Sequence, residues 1–230
     1  MNTSIVRRGA VAALAALALA TAPAATAWSV PGQAPAGAAA AEQGKTAHIQ
    51  PLPTSPVAYR FGETLARLSG RKLEVTFFAA IIPHHRAAIE MARLERERGT
   101  DARIRTHADD IIANQRHQIG QFTRWLKKWY GLTPEQARQQ APQEARQEIA
   151  AMEREVRRMI AELRRVPAGE RFDIEFVRRM IPHHNSGVIE FLEPQSRADH
   201  AQLKVAAASG INSQEMQIVD FRTWLSEQTR

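Results

Sequence analysis

The tetrapeptide Ile82-Pro83-His84-His85 occurs twice in this chain, and its second copy, residues 181–184, begins 99 positions later. With that offset held fixed, the flanking sequence also aligns without a gap. The aligned identities include Phe77 with Phe176, Gln115 with Gln214, Gln118 with Gln217, Phe122 with Phe221 and Trp125 with Trp224. An ungapped internal repeat of this length indicates one structural unit used twice. We therefore expect two similar units, repeat one at residues 73–130 and repeat two at residues 172–228.

The N-terminus has the features of an export signal. Arg7 and Arg8 precede an almost wholly apolar run at residues 10–20, and Ala25-Thr26-Ala27 supplies a cleavage site. This order predicts a secretory signal peptide at residues 1–27. The Ala-, Pro- and Gly-rich residues 28–57 predict a flexible tether, which leaves a helical domain at residues 58–230. We expect an exported protein without a membrane span after cleavage.

Charge and cysteine content exclude several classes of function. The formal net charge is +7, and loss of Arg7 and Arg8 with the signal peptide leaves +5. Because acidic and basic residues alternate along the predicted helices, this balance is typical of a solvated surface, and we expect no nucleic-acid binding. The chain contains no Cys, which excludes disulfides, thiolate metal sites and a Cys nucleophile.

Apolar residues recur at helical spacing through most of the chain, and no segment shows the alternation typical of strands. Repeat one predicts helices at about 73–98 and 101–130, with Gly131 ending the second. Thr133 and Pro134 begin a connecting segment at 133–166. Repeat two predicts helices at about 172–193 and 199–227, with Pro194 shortening the first. The predicted fold is all-α, a four-helix bundle of two repeated hairpins plus a connecting helix.

Both copies of the tetrapeptide place a proline inside a predicted helix. Proline lacks an N–H group, so Pro83 frees the carbonyl of Ala79 and Pro182 frees that of Arg178. A helix-interior proline costs about 3 kcal/mol. A kink that turns the following histidines inward would explain its presence in both repeats.

The histidine pairs and neighbouring thioethers form a candidate metal site. Repeat one offers His84, His85 and Met91, and repeat two offers Met180, His183, His184 and Glu190. Imidazole suits copper, zinc, nickel and iron, whereas thioether favours Cu(I). We therefore predict copper as the bound metal, with zinc as the alternative.

A structural role for the same histidines remains open. The four could form hydrogen bonds with Gln115, Gln118, Gln214 and Gln217 across the bundle, or those glutamines could orient imidazoles that bind the metal. Met91 and Met180 could equally be core residues. His107 and His117 are expected to be exposed. We expect His48 to lie in the tether and His200 to lie in a loop, and we assign neither a role.

The chain resembles the DUF305 family, whose characterised members include CopM-like copper-binding proteins. The residues that carry the resemblance are Asp173, Phe176, Met180, Ile181, His183 and His184 in repeat two, and His84, His85, Ala88, Ile89, Met91 and Ala92 in repeat one. The resemblance to the family covers residues 73–225. The resemblance implies a ferritin-like helical bundle and, in exported members, metal binding linked to copper handling.

Several positions depart from the family pattern. Four positions where the pattern has Met are occupied by other residues: Ile81, Phe122, Glu190 and Phe221. Two positions where the pattern has Glu are occupied by Gln118 and Gln217. Four thioethers and two carboxylates are thus replaced. The loss of carboxylates argues against a di-iron site, as does the absence of any Glu-x-x-His in the sequence.

Three functions follow from these observations. The first is an exported, non-catalytic metal-binding protein that handles copper through the paired histidines. The alternative is a metal-free helical scaffold or interaction module with structural histidines. An enzyme is the least favoured, because the sequence shows no Ser/His/Asp order, phosphate loop or paired acids; its expected form would be a His-bound metal with an open position.

Overall fold

The computed structural model describes residues 49–228, and the only regular elements in this range are helices. They are α1 Pro56–Ala66, α2 Gly70–Arg98, α3 Ala102–Tyr130, α4 Pro134–Gln140, α5 Gln143–Leu163, α6 Glu170–Arg197 and α7 Ala201–Glu227. The prediction of an all-α fold is confirmed. The predicted signal peptide at 1–27 and the first part of the predicted tether lie outside the described residues.

Helices α2 and α6 form the centre of the domain. Helix α3 packs on α2, α7 packs on α6, and the two hairpins meet where α2 packs on α6. Helices α1, α4 and α5 cover this central pair. The four predicted hairpin helices are all present, but α3 and α7 make little direct contact with each other and border a groove. The hairpins are therefore joined mainly through their first helices.

The helix ends follow local sequence signals. Asp101 begins α3 by accepting hydrogen bonds from the N–H groups of Arg103 and Ile104, and Gly131 ends it with a φ of 71°. Thr133 and Gln136 form a reciprocal capping box at the start of α4, as the sequence predicts. These signals fix where each chain reversal occurs, and so fix the alignment of α2 with α3.

The two repeats are similar in packing as well as in sequence. The rings of Phe77 and Phe122 meet edge to face at 5.7 Å between centroids, and the equivalent Phe176 and Phe221 meet edge to face at 6.1 Å. Each pair joins the two helices of its own hairpin and belongs to its own core cluster. The core is therefore built twice from equivalent residues.

Buried acids link the repeats to each other. Glu74 on α2 accepts a hydrogen bond from the backbone N–H of His200, which precedes α7. At the equivalent position, Asp173 on α6 accepts from the N–H groups of Thr100 and Asp101, which precede α3. Each acid is fully buried. The first helix of each repeat thus caps the second helix of the other, which fixes the register of the two hairpins.

His200 has a structural role that the sequence analysis did not assign. Its Nδ1 lies 2.7 Å from Oε2 of Glu74, and its ring stacks on Trp129 at 3.8 Å between centroids. The pattern of apolar residues gave no sign of this, because His200 lies in the turn before α7. The residue that signals it is Glu74, an acid at an otherwise apolar helix position.

The ordered domain begins before the predicted boundary at residue 58. The N–H of Leu52 donates to the carbonyl of Arg178, the group freed by Pro182, at 3.0 Å. Asn185 donates to Oγ1 of Thr54 at 3.0 Å. Residues 49–55, part of the predicted tether, are therefore fastened along α6 beside the second His pair.

Pro194 does not shorten α6, contrary to the sequence prediction. The helix continues through it to Arg197, so that α6 has 28 residues and α2 has 29. The last turn is held because Arg197 donates to the carbonyl oxygens of Ala66 and Leu68. Tertiary contacts thus outweigh the local cost of proline.

Glu95 lies beside the Asp173 cap and is also buried. Burial, together with a hydrogen bond to Asp173 and the nearby carboxylates, raises the pKa of Glu95 to about 9. There is no space for a side chain at Gly99, because a Cβ there would overlap Oε1 of Glu95 and lie 2.6 Å from Oδ1 of Asp173. A protonated Glu95 can donate to Asp173 and so support the cap.

We expect Asp173→Ala to lower the free energy of unfolding by about 1–3 kcal/mol, because it leaves the N–H groups of Thr100 and Asp101 without an acceptor. Urea unfolding measures the change. Asp110→Ala, at an exposed position of α3, is the control and should cost less than about 0.5 kcal/mol. Equal effects of the two substitutions would contradict the assigned cap.

We expect Glu95→Gln to flatten the pH dependence of stability. The stabilisation from the protonated carboxyl is complete below pH 4.5 and is lost as the pH rises towards 9, because the unfolded chain releases this proton first. The loss is on the order of 1 kcal/mol per pH unit. Gln keeps a donor for Asp173 without ionising. Melting curves between pH 5 and pH 9 should diverge from wild type at the alkaline end; the exposed Glu97→Gln variant should follow wild type throughout.

Candidate metal site

The two histidine pairs meet through one member of each. The rings of His84 on α2 and His183 on α6 stack at 3.9 Å between centroids, with their planes 21° apart. Both side chains are buried, with 8% and 2% of their surface exposed. The contact lies where the central helices of the two repeats pack together. The duplicated motif therefore produces a single centre shared by both halves.

The other two histidines face the outer helices. Nε2 of His85 lies 2.6 Å from Oε1 of Gln118 on α3, and Nε2 of His184 lies 2.8 Å from Oε1 of Gln217 on α7. Since an amide oxygen only accepts, each Nε2 donates its hydrogen and each Nδ1 keeps a lone pair. The centroids of adjacent rings are 6.1 Å apart in one pair and 6.2 Å in the other. His84 and His183 are therefore the stacked inner pair, and each has the other histidine of its own repeat beside it.

The central rings have no hydrogen-bond partners. Both nitrogens of His84, both nitrogens of His183 and both carboxyl oxygens of Glu190 are buried and unpaired. Glu190 lies on α6 with Oε1 3.9 Å from Nε2 of His84, which is too far for a hydrogen bond. Buried polar groups are rarely left unpaired, and several together indicate a site for water or an ion.

Burial keeps these groups uncharged near neutral pH. It lowers the pKa of His84 and of His183 well below the ordinary value, with further lowering from the neighbouring imidazoles. It lowers the pKa of His85 and His184 to about 4, and raises that of Glu190 to about 8. Neutral imidazole is the form that coordinates a metal ion. The His84–Glu190 contact is therefore not a salt bridge between two charged groups.

The remaining sequence-predicted residues lie elsewhere. Met91 and Met180 are fully buried in the core cluster that contains Phe172, Phe176 and Phe221. Gln115 and Gln214 do not bond the histidines, and their side-chain oxygens have no partner. Gln214 packs against Gly187, where a Cβ would overlap its Oε1. The structure thus brings together His84, His183 and Glu190, with His85 and His184 adjoining.

Two cavities adjoin the central rings, and the connecting helix α5 lines both. The larger, about 290 Å³, is lined by His84 and Glu190 together with Pro83, Met152 and Arg157. The smaller, about 20 Å³, is lined by both central histidines and by Met152 and Met159. From the sequence these two methionines show only as part of the apolar face of α5. Their spacing of seven residues, which aligns them on one face, was the available signal.

Carboxylates and imidazoles alone do not complete a metal centre. Between residues 49 and 228, no group of three or more His, Asp or Glu side chains is arranged to hold an ion. His107 is half-buried, with Nε2 3.7 Å from Oδ2 of Asp220, whereas His117 is exposed as expected. The buried, unpaired atoms of His84, His183 and Glu190 are candidates to hold a metal, but these side chains do not form a complete metal centre in this structure.

The sequence model of the family named domain of unknown function, DUF305, matches residues 74–225. This chain belongs to the DUF305 family. The match spans α2 to α7 and includes both histidine pairs. No functionally curated protein sequence matches the chain.

Solved structures of related proteins share the DUF305 fold. CopM in its Cu(I)-bound form superposes with a TM-score of 0.55 at 22% identity, covering 67% of this chain and 96% of CopM. A DUF305 protein from Streptomyces coelicolor, inferred to be secreted, gives 0.55 at 23% identity, covering 68% and 93%. A DUF305 fragment from Deinococcus radiodurans gives 0.51 at 22% identity, covering 76% and 99%. At this level of identity the likeness establishes the fold.

Within residues 49–228 no helix combines the length and apolar character needed to cross a bilayer. The longest helices, α2 and α3, each carry charged residues along their length.

Proposed function

We propose that this protein is an exported, non-catalytic metal-binding protein that handles copper, with His84 and His183 as the central ligands. The observation that carries the proposal is the pair of buried imidazoles whose four ring nitrogens are all unpaired. Most buried histidines with a structural role have at least one well-formed hydrogen bond to protein or ordered water. A metal ion bound between the two repeats would take one nitrogen from each ring and join the halves of the domain, which requires the stacked rings to turn so that both lone pairs point at the ion.

Glu190 and the outer histidines support the same site. Glu190 places an unpaired carboxyl beside His84, although in this arrangement it does not complete a three-ligand centre with the two histidines. His85 and His184 keep a free Nδ1, while Gln118 and Gln217 hold their rings in place. A hydrogen bond that fixes one ring nitrogen commonly orients the other towards a metal. We assign Met91 and Met180, by contrast, to the core.

Copper is favoured over other metals for two reasons. Imidazole is a good ligand for copper, and methionine thioethers lie beside the site. In addition, the structurally similar CopM is known in Cu(I)-, Cu(II)- and silver-bound forms. Silver(I) and Cu(I) are both soft monovalent ions, so two of these three CopM forms hold a soft metal. Zinc remains the alternative that the imidazoles alone would accept.

The predicted signal peptide at 1–27 supports export, and the likeness to the Streptomyces coelicolor protein agrees with it. A chain without Cys cannot use thiolates to hold copper. Histidine and methionine are the ligands left to such a protein in an oxidising compartment.

The metal-free scaffold is the second candidate, and one observation favours it. His85 and His184 each donate to a glutamine, as structural histidines do. These bonds account for the burial of His85 and His184 without a metal. They do not account for the burial of His84 and His183.

The test is a thermal melt of residues 28–230 with Cu(I), Cu(II) or Zn(II). A ligand that binds only the folded state raises stability, by about 2.7 kcal/mol at a hundredfold excess over Kd, which corresponds to roughly 5–10 °C for a domain of this size. We expect such a rise with copper, and its loss in His84→Ala/His183→Ala. His117→Ala, at an exposed position of α3, is the matched control and should retain the full rise.

Absence of a shift with every metal would contradict the proposal and favour the scaffold. A shift that persists unchanged in the double variant would place the metal elsewhere. A melt of the metal-free double variant shows whether the substitutions themselves alter the fold.

A further inference from the structure

The face of α5 that covers the two central histidines carries two methionines. Met152 and Met159 are separated by two helical turns, and Val156 lies between them. The smaller cavity is bounded on one side by His84 and His183 and on the other by both methionines. Its volume of about 20 Å³ is enough for roughly one water molecule, and so for a single ion. Two imidazole side chains and two thioether side chains thus line one small cavity.

The larger cavity adjoins this space on the side nearer the protein surface. It shares His84 and Met152 with the smaller cavity and is lined at its other end by Arg86, Glu90 and Arg157, which are charged residues of the protein surface. An ion entering from solvent would therefore meet Met152 and His84 together before it reached His183.

The thioethers also supply what the other donors lack. No three imidazole or carboxylate groups between residues 49 and 228 form a metal centre, which disfavours a site built for Zn(II). Thioethers are soft, uncharged ligands that select Cu(I). Because Cu(I) accepts low coordination numbers, two imidazoles and one or two thioethers are sufficient to hold it.

We propose that Met152 and Met159 of the connecting helix supply the thioether ligands of the copper site, and that they make it selective for Cu(I) over Zn(II). This inference rests on the proposed function. The site is then assembled from three helices, with one histidine from each repeat and the sulfur ligands from the segment that joins them. The connecting helix replaces thioethers that the repeats lack at Ile81 and Glu190.

The methionines within the repeats do not fit this role. Met91 and Met180 lie in the core cluster with Phe172 and Phe176, and neither has any exposed surface. Neither lines a cavity that adjoins His84. They are therefore suitable controls, because they are buried methionines on the helices that carry the histidines.

The experiment compares Met152→Leu/Met159→Leu with Met91→Leu/Met180→Leu. Leucine is close to methionine in volume, so both variants should fold, which circular dichroism verifies. Cu(I) affinity is measured by competition with a coloured chelator, Zn(II) affinity by the same method, and sulfur coordination by X-ray absorption at the copper edge. We expect the α5 variant to lose at least tenfold in Cu(I) affinity and its sulfur signal, with little change in Zn(II) affinity. The control variant should keep both Cu(I) properties.

The outcomes separate this inference from the proposed function. If wild type binds Cu(I) through His84 and His183, but the α5 variant keeps its affinity and sulfur signal, the inference is wrong and the proposed function stands. Loss of the sulfur signal in the Met91/Met180 variant instead would assign the thioethers to the repeats and overturn the inference. If wild type binds no copper, or binds it independently of the two histidines, the proposed function itself fails.

Discussion

The packing of α2 on α6 is the contact on which the rest of the structure depends. It joins the two repeats, and at its centre His84 and His183 stack at 3.9 Å. A site at this position can form only if the two hairpins are held in one register. The reciprocal caps made by Glu74 and Asp173 provide that constraint, since each ties a central helix to the start of an outer helix in the other repeat.

The two repeats make equivalent contacts with their own outer helices, α3 and α7, but they share a single covering helix, α5. Towards α3 and α7 the repeats behave alike, with His85 bonded to Gln118 and His184 to Gln217. Towards α5 they share one covering helix, so Met152 and Met159 line the same small cavity as both central histidines. Gln at 118 and 217 keeps the orienting bond that Glu could make, but without adding charge to a buried site. The distinctive features of this chain therefore lie on the α5 side.

The sequence predicted the fold well because its repeat and its apolar periodicity are local signals. It could not predict which histidine of each pair meets the other repeat, because adjacent residues on a helix point about 100° apart and either could face inwards. It offered four glutamines as partners, and only packing distinguishes Gln118 and Gln217 from Gln115 and Gln214. The position of Met152 beside the histidines could not be predicted, because it depends on how α5 lies over them. The buried pair of Glu95 and Asp173 was missed for the same reason, since 78 residues separate them in sequence.

The most direct measurement is anomalous diffraction at the copper edge from crystals of the Cu(I)-loaded protein. The central claim predicts one dominant peak between α2 and α6, within bonding distance of a ring nitrogen of His84 and of His183. A dominant peak at His107 or His117, or electron density showing the two central rings bonded to water alone, would contradict it.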